Sequence, residues 1–287
     1  MPLTMEGCVG RLSFLLSATR KIVSRQDTRC PNCGGLTKLL GGKRLVLQLR
    51  KCLVCQLMFR YPKDDATDNA AFYQSAYRDP TATDLPDPAD LPTHIATNFA
   101  SIARDLTPHI ELIRTLTKSG RVLDYGCSWG YGPYQLQGAG YEVLGYEISA
   151  PRAEYGRRHL SVDITPSLDA VPSGSFDVIY SAHVLEHIPD PKIAFRDFQR
   201  LLKRDGVLVL YVPNAGSNAA RRLGTAWGPM IGEKHVLALT AEFFERNLTP
   251  YGFRLLFNSA PYDEPARPLS ESPPLEGEEL LVIGRRS

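Results

Sequence analysis

The stretch Val122–Gly130, VLDYGCSWG, constrains this chain more than any other. An apolar pair, Val122 and Leu123, runs into a single acid, Asp124, and glycines follow at Gly126, Gly130 and Gly132. An apolar-periodic segment then continues through Tyr134 and Leu136. That order predicts a buried strand, a tight glycine turn and a helix. Glycine has no Cβ, so backbone in such a turn can approach a ligand closely. Many nucleotide-binding folds use strand–glycine–helix. The dinucleotide spacing G-x-G-x-x-G is absent, and Ser128 holds the second glycine position of a D-x-G-x-G-x-G pattern.

Two more strand-like runs follow. YEVLGYEI, Tyr141–Ile148, carries an acid at Glu147. It lies about twenty residues past the turn, where an acid can bind a ribose diol. FDVI, Phe176–Ile179, runs into SAHVLEHIPDP. In these three motifs, and over roughly Thr97 to Ser287, the chain resembles the class I S-adenosylmethionine-dependent methyltransferases. The resemblance implies an α/β fold. Its core is a Rossmann-like seven-stranded sheet with helices on both faces and the last strand antiparallel. It also implies an enzyme in which Asp124, Gly126 and Gly130 cradle the methionine and ribose part of S-adenosylmethionine. Glu147 would hold the ribose, and Cys127 and Leu168 would add further cofactor contacts.

The alternation itself predicts strands at 121–125, 141–146, 162–165, 176–181, 206–212, 253–258 and 279–284. Helices are expected at 130–139, 150–159 and 191–203. Another should open at the cap residue Thr240 and end near Tyr251–Gly252. From Thr97 an apolar helical period runs to Gly120, with a break or kink at Thr107–Pro108.

Four of the six cysteines form Cys30-x-x-Cys33 and Cys52-x-x-Cys55, with residues 34–51 between the pairs. Thiolates two apart at tight turns can chelate one tetrahedral ion. The intervening LVLQLR has strand character, so the pattern predicts a zinc ribbon with a structural Zn2+. Free thiols at Cys8 and Cys127 agree with a reducing, cytoplasmic location. The boundaries expected are an N-terminal amphipathic helix in 1–28, the ribbon in 29–63, a connector in 64–96 and the methyltransferase domain in 97–287.

The chain has 287 residues and a net charge of +2, too small a charge to argue for nucleic acid by itself. No apolar run approaches the roughly 20 residues of a membrane span. The ribbon is basic, with Arg29, Lys38, Lys43, Arg44, Arg50, Lys51, Arg60 and Lys63 uninterrupted by any acid. It fits RNA, an anionic small substrate, or a brace for the catalytic domain.

The acceptor side offers two candidate catalytic residues, His183 and His235. His183 opens His183-Val-Leu-Glu186-His187. Some quinone O-methyltransferases carry E-x-x-E-H at this place and hold a divalent metal with it; this chain has His183 where their first acid stands. Glu186 and His187 can also serve simply to fix the start of a helix. Trp227…Glu233-Lys234-His235 with Leu239–Thr240 resembles a stretch of zinc-ribbon methyltransferases that act on bacterial sugars and polysaccharides. In that group an acid directly precedes the histidine, where this chain has Lys234. The segment 213–239 should roof the acceptor site, because loops beyond the carboxyl ends of parallel strands build the substrate side. The reading is methyl transfer to a small acceptor, a sugar, nucleotide sugar or related metabolite, with O-methylation favoured. RNA methylation and a non-catalytic cofactor-binding scaffold are the alternatives.

Overall fold

The computed structural model describes residues 18–23, 26–44, 46–75, 85–261 and 274–286. Of the expected N-terminal helix, 18–23 are helical; the rest of that segment, with Cys8, lies outside the described residues.

Two sheets organise the chain. The smaller comprises β1 (Thr37–Lys43), β2 (Leu47–Cys52) and β3 (Met58–Tyr61), all antiparallel neighbours. The larger is built from β4 (Arg121–Tyr125), β5 (Glu142–Tyr146), β6 (Ile164–Thr165), β7 (Phe176–Ala182) and β8 (Leu202–Pro213). After them come β9 (Leu237–Ala238), β10 (Phe253–Ala260) and β11 (Glu279–Arg286). The seven-stranded order is β10-β11-β8-β7-β4-β5-β6. Only β11 runs antiparallel to its neighbours β8 and β10. This is the expected Rossmann-like sheet with its last strand antiparallel. The central strands are apolar on both faces because helices cover both faces. Leu123, Ile179, Leu208 and Val282 bury one side, and Val122, Val178, Val209 and Ile283 the other.

Strand β9 does not join that sheet. It pairs antiparallel with β3, matching Phe59 with Leu237, and becomes the fourth strand of the small sheet. The small sheet therefore takes one strand from the long segment after β8. Cys30, Cys52, Leu57 and Phe59 pack in one core with Phe195, Phe243 and Val236.

The elements differ from expectation in three places. Helix Pro191–Leu201 ends early, and β8 starts at Leu202, paired with Phe176. There Arg286 Nη1 donates to the Leu202 carbonyl at 2.6 Å and pins the chain extended. The apolar period from Thr97 is interrupted before Thr107–Pro108 as expected, but only a 3-10 turn, Ala100–Ile102, precedes the break, and Pro108 sits in the first turn of helix Thr107–Leu116, as its missing N–H allows. The connector is more structured than its composition suggested, with helices Ala66–Ser75 and Leu91–Ala96. No helix among the described residues is long and apolar enough to cross a membrane.

Candidate functional site

At the carboxyl end of β4 the chain turns sharply. The N–H groups of Gly126 and Cys127 both donate to the Tyr146 carbonyl at the end of β5, at 2.8 and 3.0 Å. Gly126 has φ +85°, and a Cβ there would collide with Val184. A Cβ at Gly132 would collide with the Asp124 carboxylate. Close approach therefore demands glycine at both positions. Ser128, in the slot a glycine would fill, still adopts a left-handed backbone with φ +52°.

Two acids face this turn. Glu147 accepts the Ser128 N–H at 3.0 Å through Oε2 and the Ser149 N–H at 2.7 Å through Oε1. Asp124 is only 4% exposed. Burial, with Glu147 nearby, pushes its pKa up to about 8. Burial raises Glu147 as well, against the N–H groups that favour its charge. The Ser128 hydroxyl is buried with no hydrogen-bond partner. Two buried carboxylates and an orphaned hydroxyl suit a ligand that brings a cation and hydroxyl donors. Cys127 is buried, and burial drives its thiol pKa well up, so it is an unreactive wall of the turn. Leu168 is buried in the main core, with its carbonyl held by Arg200 Nη2 at 2.8 Å.

His183 follows β7 directly. Its N–H donates to the Tyr211 carbonyl at 2.8 Å, and its own φ is +55°. The ring, 35% exposed, lies between two buried acids: Nε2 is 2.9 Å from Glu279, and Nδ1 is 3.6 Å from Glu186. Burial opposes charge on this imidazole, but the carboxylates of Glu186 and Glu279 outweigh it and raise its pKa to about 9. Behind it, the His109 ring stacks on Tyr211 at 4.1 Å, and its Nδ1 is 2.6 Å from the Tyr180 hydroxyl. Burial first, and then His183, lower His109 to about 4.

His235 is brought to a different neighbour. Its ring meets His187 edge-to-face at 4.8 Å, and the Val236 N–H donates to the Glu186 carbonyl at 2.9 Å. One ligand-capable atom from each of Glu186, His187 and His235 lies within 4.8 Å of the others. Burial holds His187 down to about 4, only partly offset by Glu186. The small sheet places this segment. The Arg60 N–H donates to the Val236 carbonyl at 2.8 Å. Its guanidinium donates to the carbonyls of Gly232 and Glu233 at 2.9 and 2.8 Å and pairs with Asp64.

The four cysteines converge. Cys30 and Cys55 sulfurs are 3.5 Å apart, Cys33 and Cys52 sulfurs 3.4 Å, and all four lie within 4.8 Å. None is in a disulfide. Tetrahedral Zn–S bonds of 2.3 Å give sulfur separations of about 3.8 Å, so the cluster has the dimensions of a closed zinc site. The N–H groups of Val54 and Cys55 both point at Cys52 Sγ, at 3.4 Å. Asn247 anchors the second turn by donating to the Cys55 carbonyl at 2.9 Å.

Several of these residues carry no sequence signal. Glu279 lies in an apolar strand, 96 residues beyond His183. His109 and Tyr180 look like ordinary helix and strand positions. Gln74, in the connector, donates to the Ile148 carbonyl at 2.6 Å and accepts from the Ala150 N–H at 3.2 Å. Its helix thereby lies against the segment that carries Glu147.

A family model described as a methyltransferase domain matches residues 98–257. The ubiquinone biosynthesis O-methyltransferase of Actinobacillus pleuropneumoniae serotype 5b is 31% identical over 132 residues, 42% of this chain and 54% of that protein. Its namesake from Xanthomonas oryzae pv. oryzae is 32% identical over 103 residues, 33% and 43% of the two chains. The chain thus spans about half the length of the curated relatives it matches. The geranyl diphosphate C-methyltransferase of Streptomyces coelicolor, solved with Mg2+, geranyl diphosphate and S-adenosyl-L-homocysteine, superposes with a TM-score of 0.51 at 16% identity, covering 77% of this chain and 98% of that one. A SAM-dependent methyltransferase from Thermotoga maritima superposes with a TM-score of 0.50 at 19% identity, covering 69% and 95%. At these identities the two solved structures share the fold.

Proposed function

This chain belongs to the methyltransferase-domain family and is a class I S-adenosylmethionine-dependent methyltransferase, and from that premise we propose that it methylates a hydroxyl of a small metabolite, a sugar or nucleotide sugar. One observation carries the O-methylation reading. His183, paired with the buried Glu279, sits one residue from Val184, which touches Gly126 of the glycine turn. A carboxylate-supported imidazole beside the donor is the arrangement that takes a hydroxyl proton.

S-adenosylmethionine supplies an already activated methyl group for in-line transfer. The residues bind and orient. Gly126, Cys127 and Gly130 shape the turn, and Leu168 forms an apolar wall. Glu147 holds the ribose hydroxyls, Asp124 faces the cationic methionine end, and the Ser128 hydroxyl finds a partner in the ligand. Glu279 and Glu186 favour the imidazolium form of His183, so the base that takes the acceptor's proton is its deprotonated fraction, and turnover should rise with pH toward about 9. His235 contributes to the acceptor side from the 213–239 segment.

The cysteine cluster holds one structural Zn2+ in this reading, and the ribbon braces the acceptor side. Among its eight cations, Lys43 is engaged on the Ile231 carbonyl, Arg50 on Thr37, Lys51 on Glu242, and Arg60 on the 232–233 backbone. That counts against an RNA-binding face. Four reduced cysteines gathered for a metal, and a reduced Cys127, fit a reducing compartment such as the cytoplasm. The sugar acceptor rests on the resemblance of the ribbon and of the Trp227–His235 stretch. A phenolic acceptor is the second reading, favoured by the names of the curated relatives.

The test is methyl transfer from labelled S-adenosylmethionine to a panel of nucleotide sugars, catechols and RNA. Turnover of a nucleotide sugar, lowered at least about tenfold in His183→Gln, supports the proposal. Turnover of catechols alone moves the assignment to a phenol. Turnover of RNA alone overturns it.

A further inference from the structure

The geometry points to a second metal site, in which Glu186, His187 and His235 hold one divalent transition ion of the Zn2+, Mn2+, Fe2+ or Co2+ class. The first observation is the carboxylate. Glu186 is 2% exposed, and neither of its oxygens has a hydrogen-bond partner. Buried carboxylates are normally satisfied by donors or by a cation. The nearest imidazole nitrogens, His183 Nδ1 and His187 Nε2, stand off at 3.6 and 3.8 Å.

The second observation is the state of the two rings. His187 Nδ1 lies 3.1 Å from the Lys234 carbonyl, and His235 Nδ1 lies 2.8 Å from the Pro229 carbonyl. A carbonyl only accepts, so Nδ1 carries the hydrogen in both rings. With Nδ1 so engaged, each ring has its Nε2 left for a ligand, and that of His187 faces the Glu186 carboxylate at 3.8 Å. A lone pair and an anion facing each other with no hydrogen between them repel. A cation between them turns the repulsion into two bonds. Nδ1–H donated to a carbonyl is also the usual second-shell arrangement that fixes a ligating histidine.

The third observation is spacing. The 3.8 Å from Glu186 Oε1 to His187 Nε2 is shorter than the roughly 4.2 Å spanned by two metal–ligand bonds end to end. The ligand atoms of all three residues lie within 4.8 Å of one another. Two imidazoles and one carboxylate favour a borderline transition ion over Mg2+ or Ca2+, which prefer oxygen. Three protein ligands leave coordination open, unlike the closed cysteine site.

The ligand set is not contiguous. His235 arrives from the segment that Arg60 and β3 hold against the 3-10 turn Leu185–His187. His183 stays outside the group: its Nε2 is engaged by Glu279, and its ligand atoms do not fall within the cluster that Glu186, His187 and His235 form. In this arrangement His235 acts on the acceptor side through the ion and not as a base.

The test counts metal on the intact chain, without substrate. Protein equilibrated with Zn2+ and then passed into metal-free buffer should carry two ions per chain. His235→Ala and Glu186→Gln should keep one, with second-site affinity reduced at least about 100-fold. One ion in the wild-type protein, together with no second binding event in titrations with Zn2+, Mn2+, Fe2+ and Co2+, overturns the proposal. If a variant fails to fold, Mn2+ on wild-type protein decides: pulsed EPR should detect coupling to two imidazole nitrogens, and coupling to none overturns the site. S-adenosylhomocysteine binding, measured on the same samples, reports on the methyltransferase reading separately.

Discussion

The cysteine cluster and the Asp124–Glu147 turn both gather ligand groups around a small space, but they are stabilised in opposite ways. The cysteine cluster is local. Two C-x-x-C turns within residues 30–55 supply every sulfur, and backbone N–H groups already point at Cys52 Sγ. What such a site lacks is the ion, whose binding is itself folding free energy. The turn is held by the seven-stranded sheet whether or not a ligand is present. Its residues come from the ends of two parallel strands, and its two acids sit in each other's field. In the proposed reading, one site needs its ion in order to fold, whereas the other folds at some cost and recovers it on binding. Arg60, on β3 of the small sheet, ties down the 232–233 backbone next to His235.

Removing the proposed zinc should have the largest effect. Cys52→Ser should lose one metal ion per chain and release β3, and with it β9 and His235. Structural zinc contributes on the order of 10 kcal/mol in isolated zinc modules. Even a few of those carried into this chain should lower Tm by roughly 10 °C. Calorimetric melting and metal analysis decide it. A variant with unchanged Tm and full acceptor turnover would erase the contrast, because the ribbon would then support nothing.

Arg60→Met is the narrower cut. It leaves Asp64 without its buried guanidinium partner and two loop carbonyls without donors. The Asp64 side chain is 21% exposed and keeps Lys21 at 2.9 Å, so the loss falls mainly on the two loop carbonyls and is on the order of 1–3 kcal/mol. Urea unfolding should show that loss with the metal count unchanged. S-adenosylhomocysteine affinity should stay within about twofold while acceptor turnover falls, since the Asp124–Glu147 turn does not depend on the ribbon. If cofactor affinity falls equally, the two regions are one cooperative unit and the comparison fails.

The same contrast explains what the sequence disclosed. Strands and turns governed by local rules were legible. Asp124, Gly126 and Glu147 stand at strand ends where periodicity placed them, Thr240 caps its helix through Phe243 N–H, and both cysteine pairs meet. Partners fixed by tertiary register were not. Glu279 reads as one acid before an apolar strand until β11 pairs with β8 and delivers it to His183. His183 and His235 looked equivalent by chemistry. Yet Glu279 engages one, and β3–β9 pairing turns the other toward His187. The connector's helix Ala66–Ser75 has little amphipathic pattern, and Gln74 holds it by polar contacts that hydropathy does not register.

Glu147→Gln sharpens the cofactor half. The amide keeps one acceptor for the Ser128 or Ser149 N–H but loses the charge-assisted bonds to the ribose hydroxyls. Those are worth about 1.5–3 kcal/mol. Isothermal titration should show S-adenosylhomocysteine binding weakened roughly 10- to 150-fold, with metal content and Tm little changed. Unchanged affinity in a folded variant would remove Glu147 from the proposed cofactor site.

The last effect is a pH dependence, and it tests whether the turn is held at a cost. Asp124 in the folded chain has its pKa raised to about 8 by burial and by Glu147. In the unfolded chain it should titrate near 3.9. Between those values the folded state holds a proton that the unfolded state has released. Stability from this group is therefore full below about pH 4 and is lost as pH rises toward about 8. Other groups titrate in the same window, so the measurement is the difference between wild type and Asp124→Asn. The wild-type Tm should fall relative to the variant from pH 5 to pH 8 in cofactor-free protein. With saturating S-adenosylmethionine that relative fall should shrink, because the cationic methionine end favours the Asp124 carboxylate. Binding at pH 7 should accordingly release protons, read as a buffer-dependent binding enthalpy that Asp124→Asn lacks. A relative Tm that is flat with pH would mean that Asp124 is already ionised in the free protein, and the turn would then be as ready for its ligand as the scaffold can make it.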